Sequence, residues 1–392
     1  MVSDEGILHW FERLREEVPG LEPIDAHTHI GSNDPDGYRC GPGELIASLE
    51  HIDGRAIVFP MHEPDGYSTA NDMVVDAAAA SGGRLHAFLR LDPAADPLAE
   101  AERALGRGAC GIKLHPRAER FTLDHPGLAD VFALADERRL PVLCHAGRGI
   151  PALGRHAVEA CEHHPGMRLI LAHAGISDLA WIWRLAPDLP NLLFDTAWWS
   201  PSDLQALFAL VAPGQILMAS DAPYGTPAWG ATMTLRHALQ IGLEADQVRG
   251  VMGGQAARLI AGEELLDLGP TPGPDRIPRD PLLDRVHSCL LAALGQMFNG
   301  VEPTESLALA TLACEVGDED PRAEVCRSVL GLIEERSGYM PPPGGDGRPD
   351  RFAPGLHFIV VAAGLVRTPD VPMPPPPVSA DVDERFRGDR SG

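Results

Sequence analysis

From residue 23 to residue 223 the chain alternates between two hydrophobic periods. Short runs in which most residues are apolar are PIDAHTHI (23–30), RAIVFP (55–60), LHAFLRL (85–91), CGIKLHP (110–116), PVLCHAG (141–147), RLILAHAG (168–175), NLLFDTA (191–197) and ILMASDAP (216–223). Polar or Gly/Pro breaks separate them from stretches carrying an apolar stripe, such as LIASLEHI, ANDMVVDAAAASG, PLAEAERALGRG and LADVFALADERR. A strand buried on both faces reads as a continuous apolar run, and a helix lying on a sheet reads as a stripe. Eight such phrases predict an α/β fold in which eight parallel strands close into a (β/α)8 TIM barrel. A doubly wound open sheet is the rival. It fits less well, because no glycine-rich phosphate loop follows an early strand and polar residues gather at strand ends in nearly every repeat.

Two further helical stretches, ATMTLRHALQ and EADQVRGVMGGQAARLIAG, complete a barrel spanning 1–268. The run GPTPGPDRIPRDP then reads as a linker over 269–281. Residues 282–366 form a mostly helical C-terminal extension, on the periodicity of LLDRVHSCLLAALGQMF, TESLALATLACEV and RAEVCRSVLGLIEER. PPPGGDGRPD (341–350) interrupts it, and LHFIVVAAGLV (356–366) is too short to span a bilayer and predicts one more buried element. The Pro-rich tail, 367–392, is expected to be disordered. The linker's composition predicts that few contacts cross it and that the barrel folds without the extension.

Charge narrows the partners. With 56 acidic against 32 basic residues the net charge is -24, and Lys and Arg form no patch, which argues against nucleic acid and anionic membranes. The opening MVSDEGILHW lacks a signal peptide's basic and apolar segments, so a cytoplasmic location is expected. A small-molecule substrate is the expected partner, and a homo-oligomer is left open. The seven cysteines (40, 110, 144, 161, 289, 314 and 326) show no CxxC spacing, which indicates neither a disulfide framework nor a thiolate zinc site. Cys110 and Cys144 read as small buried thiols in strands.

A TIM barrel presents its chemistry at the C-terminal ends of its strands. His27 and His29 stand at i and i+2 of the first strand, on one face, where two imidazoles can share an ion. His115, His145 and His173 end the fourth, fifth and sixth strands and Asp221 ends the eighth, and barrel closure brings these ends together. Any one of them alone is more readily explained as an ordinary hydrogen-bonded histidine or a helix cap; five strands ending this way is a metal-ligand pattern. Imidazoles with one carboxylate suit Zn2+ best, and Mn2+ and Fe2+ are also compatible. Asp195 and Asp25 are candidate acceptors for ligand imidazoles or caps. Trp198 and Trp199 are candidates for an apolar substrate wall or for packing under a helix.

IDAHTHIG, GIKLHP, CHAG, LAHAG, FDT, SDAPYG and GGQAARLI resemble the amidohydrolase superfamily, and within it the amidohydrolase-2 branch of TIM-barrel metal-dependent hydrolases and decarboxylases. The resemblance covers about residues 22–262. It implies metal ligation by His27, His29, His145 and Asp221, with His173 beside the metal as a catalytic group or second-metal ligand. Ala219 stands where glycine is more usual and Gln255 where asparagine is; neither is a ligand position.

This pattern predicts an enzyme that activates water on a divalent ion to cleave an amide, lactone or ester, with Asp221 shuttling the proton and His173 orienting or stabilising the carbonyl oxygen. Nonoxidative decarboxylation of an aromatic or unsaturated acid is the alternative, and GIKLHP inclines the resemblance to the hydrolases. A non-catalytic platform would not be expected to keep every ligand. Lys113 leaves metal count open. It and His115 are further candidate ligands: a carboxylated Lys113 would bridge two ions, whereas an ammonium one layer below His115 would pair with an acid such as Asp25 or meet an anionic substrate. Resemblance to mononuclear members favours one ion.

Overall fold

Successive residues of a strand point to opposite sides, and in a sheet wrapped by helices both sides are dry. The computed structural model describes residue 4 and residues 6–339 and 352–374. Its eight strands lie within the predicted runs: β1 (Ile24–Ile30), β2 (Arg55–Pro60), β3 (Leu85–Arg90), β4 (Gly111–Leu114), β5 (Pro141–Cys144), β6 (Arg168–Leu171), β7 (Leu192–Asp195) and β8 (Ile216–Leu217). They pair in parallel in chain order. β1 meets the chain leaving β8 through Ala26 N to Met218 O at 2.9 Å and His29 N to Ala222 O at 2.7 Å, which brings the barrel nearly to closure. Alternation sorts the core: Ile57, Phe59, Phe88, Leu143, Ile170, Leu193 and Leu217 cluster within the barrel. Ala56, Val58, Ile112, Val142 and Leu169 join the helices' apolar faces outside it.

The strands from β4 onward end sooner than the apolar runs do, so His115, His145, His173 and Asp221 stand in the turns just beyond them. The reason is local. His173 begins a tight turn in which His173 and Ala174 have φ of 58° and 57°, outside the range a strand can continue.

The surrounding helices are α1 (Leu8–Arg15), α2 (Pro42–Glu50), α3 (Ser68–Ala80), α4 (Pro97–Gly106), α5 (Ala129–Glu137), α6 (Leu153–His163), α7 (Leu179–Ile182), α8 (Pro201–Leu210), α9 (Pro227–Gln240), α10 (Ala245–Arg249) and α11 (Gln255–Ala261). The C-terminal helices follow as α12 (Pro281–Met297), α13 (Thr304–Ala313), α14 (Ala323–Gly338) and α15 (Leu356–Arg367). The apolar run predicted as a buried element is α15, buried from Leu356 to Val366. It packs on α12 and α14 on one side and on α8 and α9 of the barrel on the other.

Many contacts therefore cross the linker, contrary to its composition. Residues 367–374 of the predicted tail are packed on the barrel: buried Arg236 of α9 donates to Thr368 O at 2.8 Å, Thr368 Oγ1 at 2.8 Å and Pro372 O at 3.3 Å, and Val371 and Met373 are buried. A proline-rich composition reports on local propensity and cannot see an arginine 132 positions away in sequence. The predicted break at 341–350 and the tail from 375 to 392 lie outside the described residues. Among the described residues no helix is long and apolar enough to cross a membrane.

Candidate metal centre

β1 presents His27 and His29 toward the C-terminal mouth, and the turn after β8 brings Asp221 to them through Asp221 N to His27 O at 2.9 Å. His27 Nε2 and His29 Nε2 each lie 3.1 Å from Asp221 Oδ1, and one ligand atom from each residue falls within 4.8 Å of the others. The other nitrogen of His27, Nδ1, lies 2.8 Å from Asp195 Oδ2. An ionised carboxylate only accepts, so Nδ1 carries a proton and the ring, when neutral, keeps its lone pair on Nε2. Both oxygens of Asp195 are engaged: its Oδ1 accepts from His173 N at 2.8 Å and Ala197 N at 3.0 Å.

The same reasoning orders the next two histidines. His173 Nδ1 lies 2.6 Å from Ala197 O and must donate to it, which makes Nε2 an acceptor in the neutral ring. His145 Nδ1, 2.9 Å from that Nε2, is then the donor, and the lone pair of His145 is on Nε2, buried and without a hydrogen-bond partner. Gly147 leaves room for that ring, since a Cβ at 147 would stand 2.4 Å from His145 Nε2. His115 stacks on His145 with ring centroids 3.9 Å apart, and its Nδ1 accepts from Ala118 N at 3.2 Å. Of the predicted site residues, His27, His29 and Asp221 converge, His145 and His173 pair beside them, and His115 covers His145.

Lys113 differs from the layered expectation. Its Nζ reaches up to 3.0 Å from His27 Nε2 and sits 4.3 Å from the centre of the Phe59 ring, because the long side chain spans the barrel interior. Asp25 is not its partner: Asp25 Oδ1 accepts main-chain N–H groups from His27 at 3.1 Å and Ser220 at 3.0 Å, while Oδ2 is buried without a partner.

Burial dominates the electrostatics. It pushes Lys113 down to about 7 against the opposing charges of Asp221 and Asp195, and His29 down to about 3. It lifts Asp25 to about 7 and drives His145 and His115 well below the ordinary imidazole range. Burial acts to raise Asp221 too, but His27 and His29 hold it well below the usual carboxylate range. His27 is the exception among the imidazoles: burial and Lys113 act to lower it, but the Asp221 and Asp195 carboxylates raise it overall. Once the ligating ring nitrogens are free of protons, imidazoles around an ionised carboxylate are the donor set a borderline divalent cation takes. With the three ligand atoms gathered within 4.8 Å and His145 Nε2 buried without a partner, the residues present fit such an ion. Asp221, with φ 59°, and His173 both hold left-handed backbone, strain of about 1 kcal/mol or more per residue, of a kind that clusters at functional sites.

Residues outside the strand-end histidine pattern complete the mouth. Arg90, the one charged residue of LHAFLRL, is buried at the end of β3 and binds Glu119 at 2.7 Å, and Glu119 accepts from Tyr67 Oη at 2.5 Å. Arg90 also lines a cavity of about 170 Å3 with Tyr67 and Asp92. Tyr224, three residues after Asp221, stands edge-on to His29 with centroids 5.5 Å apart and donates to Asp34 Oδ2 at 2.5 Å. A charge ending an apolar run could have flagged Arg90; nothing local signals Glu119, which comes from a loop.

The sequence profile of the Amidohydrolase family, amidohydrolase-2, matches residues 24–261. Among curated proteins none matches the chain. Solved structures that share its fold include a TIM-barrel protein from Bordetella bronchiseptica (16% identity, 62% of this chain and 99% of that one, TM-score 0.50). An amidohydrolase from Burkholderia multivorans, solved with bound zinc, is similar at 18% identity over 61% of this chain and 99% of that one, TM-score 0.51. A 2,6-dihydroxybenzoate decarboxylase aligns at 16% identity over 62% of this chain and 98% of that one, TM-score 0.49. At such identities the likeness to the first two shows the fold alone; the profile, spanning more than half of the sequence and all eight strands, establishes the family: the chain belongs to the amidohydrolase family.

Proposed function

We propose that this protein hydrolyses a C–N or C–O bond (amide, lactone or ester) of a small molecule at a single divalent ion, zinc in preference to Mn2+ or Fe2+. The observation that carries this reading is the convergence of His27 Nε2, His29 Nε2 and Asp221 Oδ1 at the barrel mouth, with His27 locked in the ligating tautomer by Asp195. These three would hold the ion, with His145 Nε2, buried and partnerless but outside that 4.8 Å cluster, as the fourth donor. A bound divalent ion supplies hydroxide near neutral pH and polarises a carbonyl.

The rest falls to side chains. Asp195 is fully buried with both oxygens engaged, whereas Asp221 keeps 22% of its side chain exposed, so Asp221 is the carboxylate able to take a proton from water and return it to the leaving group. His173, its N–H committed to Ala197 O, orients His145 while neutral; only when protonated on Nε2 can it donate to a developing oxyanion. Lys113, whose Nζ stands 3.0 Å from His27 Nε2 and which burial pushes down to about 7, can meet an anionic oxygen of the substrate when it carries its proton.

Nonoxidative decarboxylation of an aromatic or unsaturated acid is a second reading, favoured by the Trp198 ring lying 6.0 Å from that of His173. The test is a panel of lactones, amides and aromatic acids incubated with metal-loaded protein and scored for product. A new carboxylate with its alcohol or amine, abolished by chelation, is expected. Release of CO2 without any hydrolysis product would replace this reading by the second.

A further inference from the structure

The family match ends at residue 261, yet the C-terminal helices reach the barrel mouth through a chain of rings. Trp198, in the turn after β7, lies edge-on to His173 at 6.0 Å and is anchored by Nε1 donating to Asp203 Oδ2 at 2.7 Å. Trp199 lies 5.5 Å from Trp198. Phe298, the residue that ends α12, lies 4.6 Å from Trp199, and Phe352 stands edge-on to Phe298 at 5.7 Å. Ala353 N donates to Met297 O at 2.9 Å, which ties the Phe352 segment to the end of α12.

Trp198, Trp199 and Phe298 are all partly exposed, so packing alone does not use up their faces. Phe298 is held firmly, because Leu290, Ala293, Leu294 and Met297 before it are buried in the helical unit. That unit is fixed in turn: α15 rests on α8, the helix into which the Trp198–Ser200 turn leads. An indole pair inclined at 43° to one another and held between a site imidazole and a rigid helix end is an angled aromatic wall whose tilt is set from outside the barrel.

We infer that the C-terminal helical unit completes the substrate wall: Phe298 is a positioning residue that sets Trp199, and through it Trp198, to receive the planar ring of an aromatic carboxylate or its ester or amide beside His173. This rests on reading the His27–His29–Asp221 cluster as the active site. Ring faces attract one another in offset or edge-on geometry, so a displaced Trp199 loses affinity for a ring while leaving affinity for a bare carboxylate.

The test uses full-length protein, with and without zinc, titrated with benzoate and with acetate and read by tryptophan fluorescence. Wild type is expected to bind benzoate at least about tenfold more tightly than acetate, and Phe298→Ala to lose about tenfold for benzoate only, with zinc content unchanged. Phe298→Tyr should restore benzoate binding. If Phe298→Ala does not fold, Phe298→Leu, which keeps apolar volume without the ring, should still weaken benzoate and spare acetate. Equal benzoate affinity in wild type and a folded Phe298 variant, or no preference of wild type for benzoate over acetate, overturns the inference. Zinc content is measured separately: a protein that binds no zinc yet shows the Phe298 effect contradicts the metal reading and supports the ring wall.

Discussion

His27 Nδ1 lies 2.8 Å from Asp195 Oδ2, a bond from the first strand of the barrel to the seventh that decides which nitrogen of His27 faces the mouth. An amide at 195 can offer an N–H where the carboxylate can only accept, so it no longer holds the proton on Nδ1. Asp195→Asn is therefore expected to weaken zinc binding by about 10–100-fold while the fold persists, a range typical of outer partners of metal-bound imidazoles. A chelator competition that returned an unchanged Kd would remove Asp195 from this role.

Gly147 offers a second test at the same site. A methyl group there would collide with the His145 ring at its Nε2. Gly147→Ala should lower zinc affinity and turnover together, with little change in thermal midpoint. Unaltered zinc binding would mean that His145 is not a donor.

How much of this was legible depends on range. His27 and His29 could be put on one face from their spacing, and the strands could be placed because both faces of each are buried. Asp195 could be named as an acceptor or a cap but not decided, since the choice depends on a ring 168 positions away. Lys113 was expected below the mouth because strand parity gives a side chain's direction and not its reach. The His145–His173 pair, the grip of Arg236 on Thr368 and the contact of Phe298 with Trp199 are long-range pairings with no local signature.

Acid should loosen the contact between the helical unit and the barrel. His287 of α12 is buried, its Nδ1 faces Arg367 at 3.3 Å, and burial, aided by the Arg367 charge, lowers it to about 4. Between that value and its ordinary 6.5 the unfolded chain binds the extra proton, so stability is full above pH 6.5 and falls as pH drops toward 4, by up to roughly 3 kcal/mol from this group. Urea unfolding of wild type and His287→Leu across pH 4–7 checks it. The variant should lose less stability on acidification; parallel curves would contradict the assignment.

Arg236 is fully buried, and burial pulls it down to about 9; its hydrogen bonds go to the backbone oxygens of Thr368, Val371 and Pro372 and to Thr368 Oγ1. Arg236→Ala leaves these acceptors buried and unpaired, at a cost of about 3 kcal/mol or more. Truncation after Gly269 also strips α15 from α8 and α9 and should give insoluble protein. A folded, zinc-binding chain ending there would show that the barrel stands alone.

The claim on which the rest depends is that His27, His29 and Asp221 hold one divalent ion. Elemental analysis with intact-mass measurement, on protein loaded with excess zinc and bicarbonate, tests it most directly. Wild type should carry about one equivalent with Lys113 unmodified, and His27→Ala and Asp221→Ala should lose metal and turnover together while staying folded. Full metal and turnover in either variant would contradict the site, and two equivalents with a carbamate on Lys113 would contradict the count.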